Sequence, residues 1–277
     1  MIEHATTMHR RKSASAGFLF HMAKLFAYRD LLWLLTLREL KARHRQTLLG
    51  IGWALLQPVA MMLVFTAVFS VFVRVPVEGM PYAAFAYSGL ISWLFLANSI
   101  ATGTLSLVAN MNLITKANFP REVIPLAAIL TVGFDFLVGF GLLGVLIVAL
   151  GVRPTLTWFA VPVIMAIQVA LTVGLVFWTS ALHVLRRDLG SFLPLLLQGW
   201  MFLSPVIYPV TVIPEPYRAV YMLNPAAMLL EAYRGALFFG DVPLATTVAP
   251  AAALACAALI SGYAYFKSVE LRFADVM

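Results

Sequence analysis

The chain has 277 residues, 62% of them hydrophobic and only 11% charged, with a formal net charge of +7. Soluble domains carry roughly 25% charged and 45–50% apolar residues, so a shift this large in both places most of the chain in a membrane. Spans of ~20 residues with their loops account for that length, leaving no room for a separate soluble enzyme domain.

Residues 1–27 read as a flexible basic segment. No uninterrupted apolar run with a small-residue cleavage site follows the basic residues, so a cleaved signal peptide is not expected. Segment 28–45 begins with an apolar run, Leu31–Leu37, that is too short to cross a bilayer. Arg38, Glu39, Lys41, Arg43 and Arg45 come next. Trp33, Leu37 and Leu40 share one helical stripe, although Leu31, Leu32 and Leu35 fall outside it. The pattern predicts a helix in the membrane interface, with a helix packed on the bundle as the alternative.

Six long apolar segments follow, at about 51–73, 83–108, 123–150, 158–182, 191–207 and 244–266. Each is near or above the ~17 residues that a transmembrane helix needs. Gln57-Pro58 should kink the first. Asp135 is the one acid well inside a span, and no intramembrane Lys or Arg is evident for it. It is either functional by default or a helix-packing residue bonded to a neighbour. Cys256 sits in an Ala-rich run of the last span and is expected to be a small buried hydrophobe. One cysteine supports neither an intrachain disulfide nor a CxxC site.

Charge orients the chain. With the N-terminus in the cytoplasm, only Arg74, Arg153, Arg218 and Arg234 of the 19 lysines and arginines fall outside. The positive-inside rule therefore predicts cytoplasmic termini at both ends.

Residues 208–243 are apolar enough to resemble a seventh span, but they contain Asn224, Pro225, Glu231 and Arg234. A central Arg costs roughly 2.5–3.5 kcal/mol on insertion scales. A full crossing would also leave the basic tail outside. Two short helices that dip in from the outer face and return fit better. Pro216 opens the first, Asn224 caps the second with Pro225 at its first position, and Gly240 ends it. Glu231 and Arg234, three apart, pair on one face. Non-helical backbone at membrane depth survives only where protein or a cavity covers it.

No phosphate-binding GxxxxGK[ST] loop, HExxH, GxSxG or paired-carboxylate cluster is present. The five histidines lie in or beside polar segments without ligand spacing, so neither catalysis nor metal binding is expected of the chain. Two short cytoplasmic loops read as docking elements or as simple basic anchors. One carries Lys116, Phe119, Pro120, Arg121 and Glu122, the other Arg187 and Asp188. An exposed Phe119 among charges favours a partner pocket. Trp93, Phe95, Trp200, Phe202, Tyr208, Tyr217 and Tyr221 gather near the outer ends of spans 2 and 5 and in the dipping region. They fit an interfacial aromatic belt or a surface on which sugar rings stack.

The runs RELKARHRQTLLGIGWALLQP, FAYSGLISWLF, NLITKANFPREVIPLA, FLSPVIYP and LNPAAMLLEAYRGALF, with a terminal E-x-x-FADVM, carry a resemblance. In this order and spacing they resemble the membrane subunit of polysaccharide-export ABC transporters, of the O-antigen and cell-surface polysaccharide type. Teichoic acid exporters are relatives. The likeness runs from about Arg38 to Met277. It implies an all-α membrane protein of the bacterial inner membrane, with six spans, an N-terminal interfacial helix and two short re-entrant outer helices. It implies a homodimer bound to a separate ATPase that holds ATP and Mg, and a glycan on an undecaprenyl-diphosphate lipid as substrate. A coupling helix is implied within about Asn112–Arg121, and outer gate helices within about Glu215–Phe239. Arg38, Lys41, Arg43 and Arg45 are then candidates for the lipid diphosphate, although basic residues at that level also attract anionic lipid generally. Tyr217, Tyr221, Asn224, Glu231 and Arg234 are assigned to the outer gate.

Three other classes compete. A secondary carrier needs repeat symmetry and intramembrane charge, and both are weak here. A membrane glycosyltransferase or acyltransferase needs a clustered acid/base or metal site. An exporter of the same architecture moving a drug or lipid is separated only by the family motifs, and a teichoic acid, capsule or other glycolipid exporter is the nearest alternative.

Overall fold

The computed structural model describes residues 27–44, 50, 52–270 and 273, and the described elements are all helices. Arg45 and the basic segment before Ala27 lie outside the described residues.

Helix α1 (Arg29–His44) packs along α5 (Val123–Ala149). Its buried face is Leu35 and Thr36, with Leu31 and Leu32 beside them. The Thr131 hydroxyl, at 3.5 Å from the Thr36 carbonyl, sits against that face. Trp33 and Leu34 point away, 61% and 64% exposed. The leucines outside the expected stripe are thus the ones that hold the helix to the bundle, and α1 presents apolar residues on two sides.

Helix α2 (Gly52–Phe65) runs through Pro58 and continues in wider, π-type turns over Thr66–Phe72. Helix α3 (Tyr82–Ala109) is the central element. Its 28 residues reach about 42 Å at 1.5 Å per residue. Small residues let neighbours close in on it from α2, α5, α6 (Val161–Leu185) and α7 (Asp188–Phe202). The short α4 (Met111–Lys116) links α3 to α5. Helix α10 (Ala249–Val269) lies against α6 with their backbones in contact. A Cβ on Gly174 would collide with the Ala258–Leu259 backbone, and one on Gly262 with the Gly174 carbonyl. Glycine at both positions permits this approach, a common basis of helix pairing in lipid.

Five helical segments are long and apolar enough to cross a membrane: Gly52–Phe72, Tyr82–Ala109, Val123–Ala149, Leu156–Leu185 and Leu244–Val269. These match five of the expected spans closely. The sixth does not appear as a long helix. Helix α7 has 15 residues, about 22 Å, and the chain turns from Leu203 because Ser204 precedes Pro205 and is disfavoured in helical geometry. The contacts of α7 and of the turn after it nonetheless run along α3. A Cβ on Gly190 would touch Leu105, near one end of α3. At the other end the Tyr82 hydroxyl donates to the Ile207 carbonyl at 2.7 Å.

Cys256 is exposed on α10 rather than buried. Its turn of α10 buries Ala255 against the bundle and leaves Leu254 and Cys256 on the outer surface.

Candidate functional sites at the two ends of the bundle

The first site is the basic end of the bundle, where α1, α3, α4, α5, α6 and α10 share one apolar cluster around Leu107, Ile124, Phe177, Phe266 and Phe273. The α4–α5 loop is anchored there. Phe119 is half-buried against this cluster, and Pro120 is buried. Arg121 donates to the Glu270 carbonyl, and its guanidinium lies 5.9 Å from the Phe273 ring centre. The Glu122 carboxylate faces inward, with Lys267 Nζ at 2.5 Å, and Lys267 also reaches Glu270 at 2.8 Å. Only Lys116, of the five loop residues singled out, is fully on the surface; Arg187 and Asp188 are exposed at the start of α7. The expected exposed aromatic is therefore an anchor with one open side.

Along α1, Arg38, Lys41 and Arg43 are exposed. Arg38 donates to the Asn110 side-chain oxygen at 2.5 Å, and Arg43 to the Asp135 carboxylate at 2.6 Å. Asp135 thus has the cationic partner that its own span could not supply; it comes from α1. Glu39 lies among these charges. Burial pushes its carboxyl above the usual range, and the neighbouring Arg38 and Arg43 guanidinium groups oppose that. A small cavity lined by Gln57, Asn98 and Asp135 opens beside the pair.

The second site is the opposite end. Helix α8 (Glu215–Tyr221) starts with a proline in its first turn. Helix α9 (Pro225–Arg234) is capped by Asn224, whose side chain accepts from the Ala226 N–H. It continues through Gly235–Phe239 to Gly240, whose φ of 66° ends it in the left-handed region that glycine tolerates. Asn224 does more than cap. Its oxygen also accepts from the Trp200 indole at 2.9 Å, and its amide donates to the Leu203 carbonyl and the Ser204 hydroxyl. Trp200 in turn meets Trp93 edge to face at 5.7 Å. Phe95 is buried against Phe136, whereas Phe202 is half exposed.

Arg234 is 2% exposed. It donates to Glu231 at 3.1 Å and to the Phe85 and Val206 carbonyls at 3.2 and 3.4 Å. Its guanidinium lies 3.6 Å from the centre of the Phe85 ring, a cation–π geometry strengthened by burial. Gly89 leaves the space for it, because a Cβ there would stand 2.8 Å from Arg234 Nη2. Deeper in, the Tyr233 hydroxyl donates to Gln168 at 2.8 Å, and Gln168 donates to the Ser92 carbonyl at 2.8 Å. The segment's contacts thus begin at Tyr82, descend to Trp93 and Leu96 beside Ala226, and return to Phe85 with Arg234.

Residues 30–238 match the family model of the ABC-2 type transporter. That is most of the chain. The chain belongs to the ABC-2 type transporter family. Across 91% of this ABC-2 chain and 97% of the relative, it is 32% identical to the O-antigen export system permease protein RfbA of Myxococcus xanthus. An RfbA of Klebsiella pneumoniae is 29% identical over 90% of the ABC-2 chain and 95% of its own length. The polysialic acid transport protein KpsM of Escherichia coli is 24% identical over 85% and 92%.

The ABC-2 chain is a multi-pass membrane protein, with the ion pairs Glu122–Lys267 and Glu231–Arg234 at its two ends. Among the described residues no group of three or more His, Cys, Asp or Glu could hold a metal. Tyr217 is exposed and Tyr221 half-buried, its hydroxyl 3.3 Å from that of Tyr208. Sequence reasoning missed Lys267 and Glu270 as partners of the α4–α5 loop, and Phe85 and Gly89 as the cradle of Arg234. The three-residue spacing of Lys267 and Glu270 on one helix face was the available signal.

Proposed function

We propose that this chain is the permease of an ATP-driven exporter that carries a polysaccharide, built on an undecaprenyl-diphosphate lipid, out of the cytoplasm across the bacterial inner membrane. It works as a homodimer with a separate ATPase subunit that holds ATP and Mg. The likeness to an O-antigen export permease along nearly the whole of both chains carries this reading. The chain itself has no phosphate-binding loop, so hydrolysis belongs to the partner.

In this reading the basic end faces the cytoplasm with both termini. Helix α7 and the turn behind it form the sixth crossing; its support is the run of contacts along α3 from Leu105 to Tyr82. Helices α8 and α9 dip from the outer face and close the exit. The descent to Trp93 and the return to Phe85 favour this. Lys116, Phe119, Arg187 and Asp188 meet the ATPase. Arg121 and Glu122 fix the loop from behind. Arg38, Lys41, Arg43 and Arg45 receive the lipid diphosphate.

Capsule export is the runner-up, favoured by the likeness to the polysialic acid transport protein. Removing the gene from its host should abolish the surface polysaccharide while lipid-linked glycan accumulates inside. Phe119→Ala at normal expression should lower both export and substrate-stimulated ATP hydrolysis. Undiminished surface polysaccharide without the chain would overturn the reading.

A further inference from the structure

We propose that α10 is a rod linking the α4–α5 loop at the basic end to the short helices at the opposite end, with Lys267 as the positioning residue that locks the loop to it. The proposal rests on the export reading, in which the loop receives the stroke of the ATPase.

Two successive loop residues hold the end of α10. Arg121 donates to the Glu270 carbonyl, and Glu122, with a side chain 1% exposed, pairs with Lys267 at 2.5 Å. The second Glu122 oxygen, Oε2, is buried with no hydrogen-bond partner. A buried pair whose desolvation is incompletely offset is a poor source of stability. It does fix one register between the groups it joins, because any slip leaves a buried charge unpaired.

Above this lock α10 runs on without a break into the wider, π-type turns of Leu244–Val248, which are counted with it as the rod. Leu244–Val269 has 26 residues, about 39 Å long. It is held to α6 by the Gly174–Gly262 approach, by Trp178 Nε1 donating to Ser261 at 3.1 Å, and by the Trp178–Tyr265 stack at 4.3 Å. At the far end Thr247 and Val248 are buried and the helix packs on α9. The Asp241 N–H donates to the Gly235 carbonyl at 3.0 Å, and a Cβ on Gly235 would collide with the Asp241 carbonyl. A cavity of about 480 Å³ there is bounded by Glu231 and Gly235 on one side and Asp241, Thr246 and Thr247 on the other. A movement of Lys267 along the helix axis is therefore delivered to the base of the Glu231–Arg234 helix.

The test reads the ratio of polysaccharide exported to ATP hydrolysed, in host cells and in membranes containing both subunits, with the host's own surface polysaccharide as the probe. Glu122→Gln with Lys267→Met neutralises both buried partners and strips a cation only from the part-exposed Glu270, which a fold tolerates far better than loss of one buried partner. The ratio should fall roughly fivefold, within the range of substitutions along coupled networks. Lys267→Arg, which keeps the pair, should hold it. Arg121→Gln should lower it by a smaller factor, and it decides the matter if the double variant fails to insert. An unchanged ratio in the double variant, or in Arg121→Gln where only that one inserts, overturns the rod. If the unaltered complex moves no polysaccharide, the export reading falls first and the rod with it.

Discussion

Arg43 near the end of α1 donates a 2.6 Å hydrogen bond to the carboxylate of Asp135, twelve residues along α5. The acid sits in an apolar helix, where an uncompensated charge is expensive, whereas Arg43 is partly exposed. The two single substitutions should therefore differ. Asp135→Asn frees a cation that reaches water and should cost about 1 kcal/mol or less. Arg43→Gln takes a cation away from an acid that sits in an apolar helix and should cost more than Asp135→Asn does. Thermal unfolding in detergent measures both. The double variant should be no worse than Arg43→Gln alone. Equal and additive losses would mean that the pair contributes nothing.

Glu39 gives a pH signature on the same helix. Burial raises its pKa in the folded state above the ordinary 4.5, against the opposing pull of Arg38 and Arg43. An acid with a raised folded pKa destabilises the fold when charged, that is, at pH above the folded value. Glu39→Gln should accordingly raise the melting temperature at neutral pH. The gain should shrink as pH falls through the raised folded pKa and vanish below 4.5, where both states are protonated. A gain that persists at low pH would contradict the assignment.

Asn224 joins α9 to the end of α7 through four side-chain hydrogen bonds, to Ala226, Trp200, Leu203 and Ser204. Loss of an N-cap alone costs about 1 kcal/mol, and a half-buried indole N–H left unpaired adds about 1–2 kcal/mol. Asn224→Ala should thus be destabilising by about 2–3 kcal/mol. Asn224→Asp keeps the acceptor for the cap and the indole but loses the amide donor, and should cost about half as much. Chemical denaturation of the two variants orders them.

Local chemistry was the legible part. Asn224, Pro225, Gly240 and the Glu231–Arg234 spacing declare a capped short helix through rules that act within a few residues, and the structure has that helix. Long apolar runs likewise declared the five long helices. What stayed hidden depends on residues far apart in sequence. Asp135 reads as lonely because its partner lies 92 residues away. Glu122 reads as part of a docking loop because Lys267, with which it pairs, is on the last helix. Periodicity brought out only the Trp33 side of α1, because both of its sides are apolar and the side that packs on the bundle, with Leu35 and Thr36, lies outside that stripe. The end of α7 was misjudged for a local reason: Pro205 outweighs the apolar run around it.

The segment from Tyr208 to Asp241 offers the sharpest test of topology. Its two ends meet the same end of α3: Ile207 accepts from Tyr82, and Phe239 packs against Gly79 in the loop just before it. Its middle reaches the level of Trp93 and Leu96. A segment that crossed would carry its end to the Asn110 side of α3 instead. It would also carry Arg234 through the bilayer without the Phe85 ring and backbone carbonyls that now hold it. Cysteines at Glu215 and Asp241, in a background with Cys256 replaced by Ser, should therefore both react with an impermeant thiol reagent applied from outside. Both positions are exposed. Labelling of position 215 from outside and of position 241 only after the cytoplasm is opened would make this segment a seventh crossing. Helix α10 would then begin on the cytoplasmic side, and its basic end with Lys267 would face outward, against the distribution of lysine and arginine along the chain.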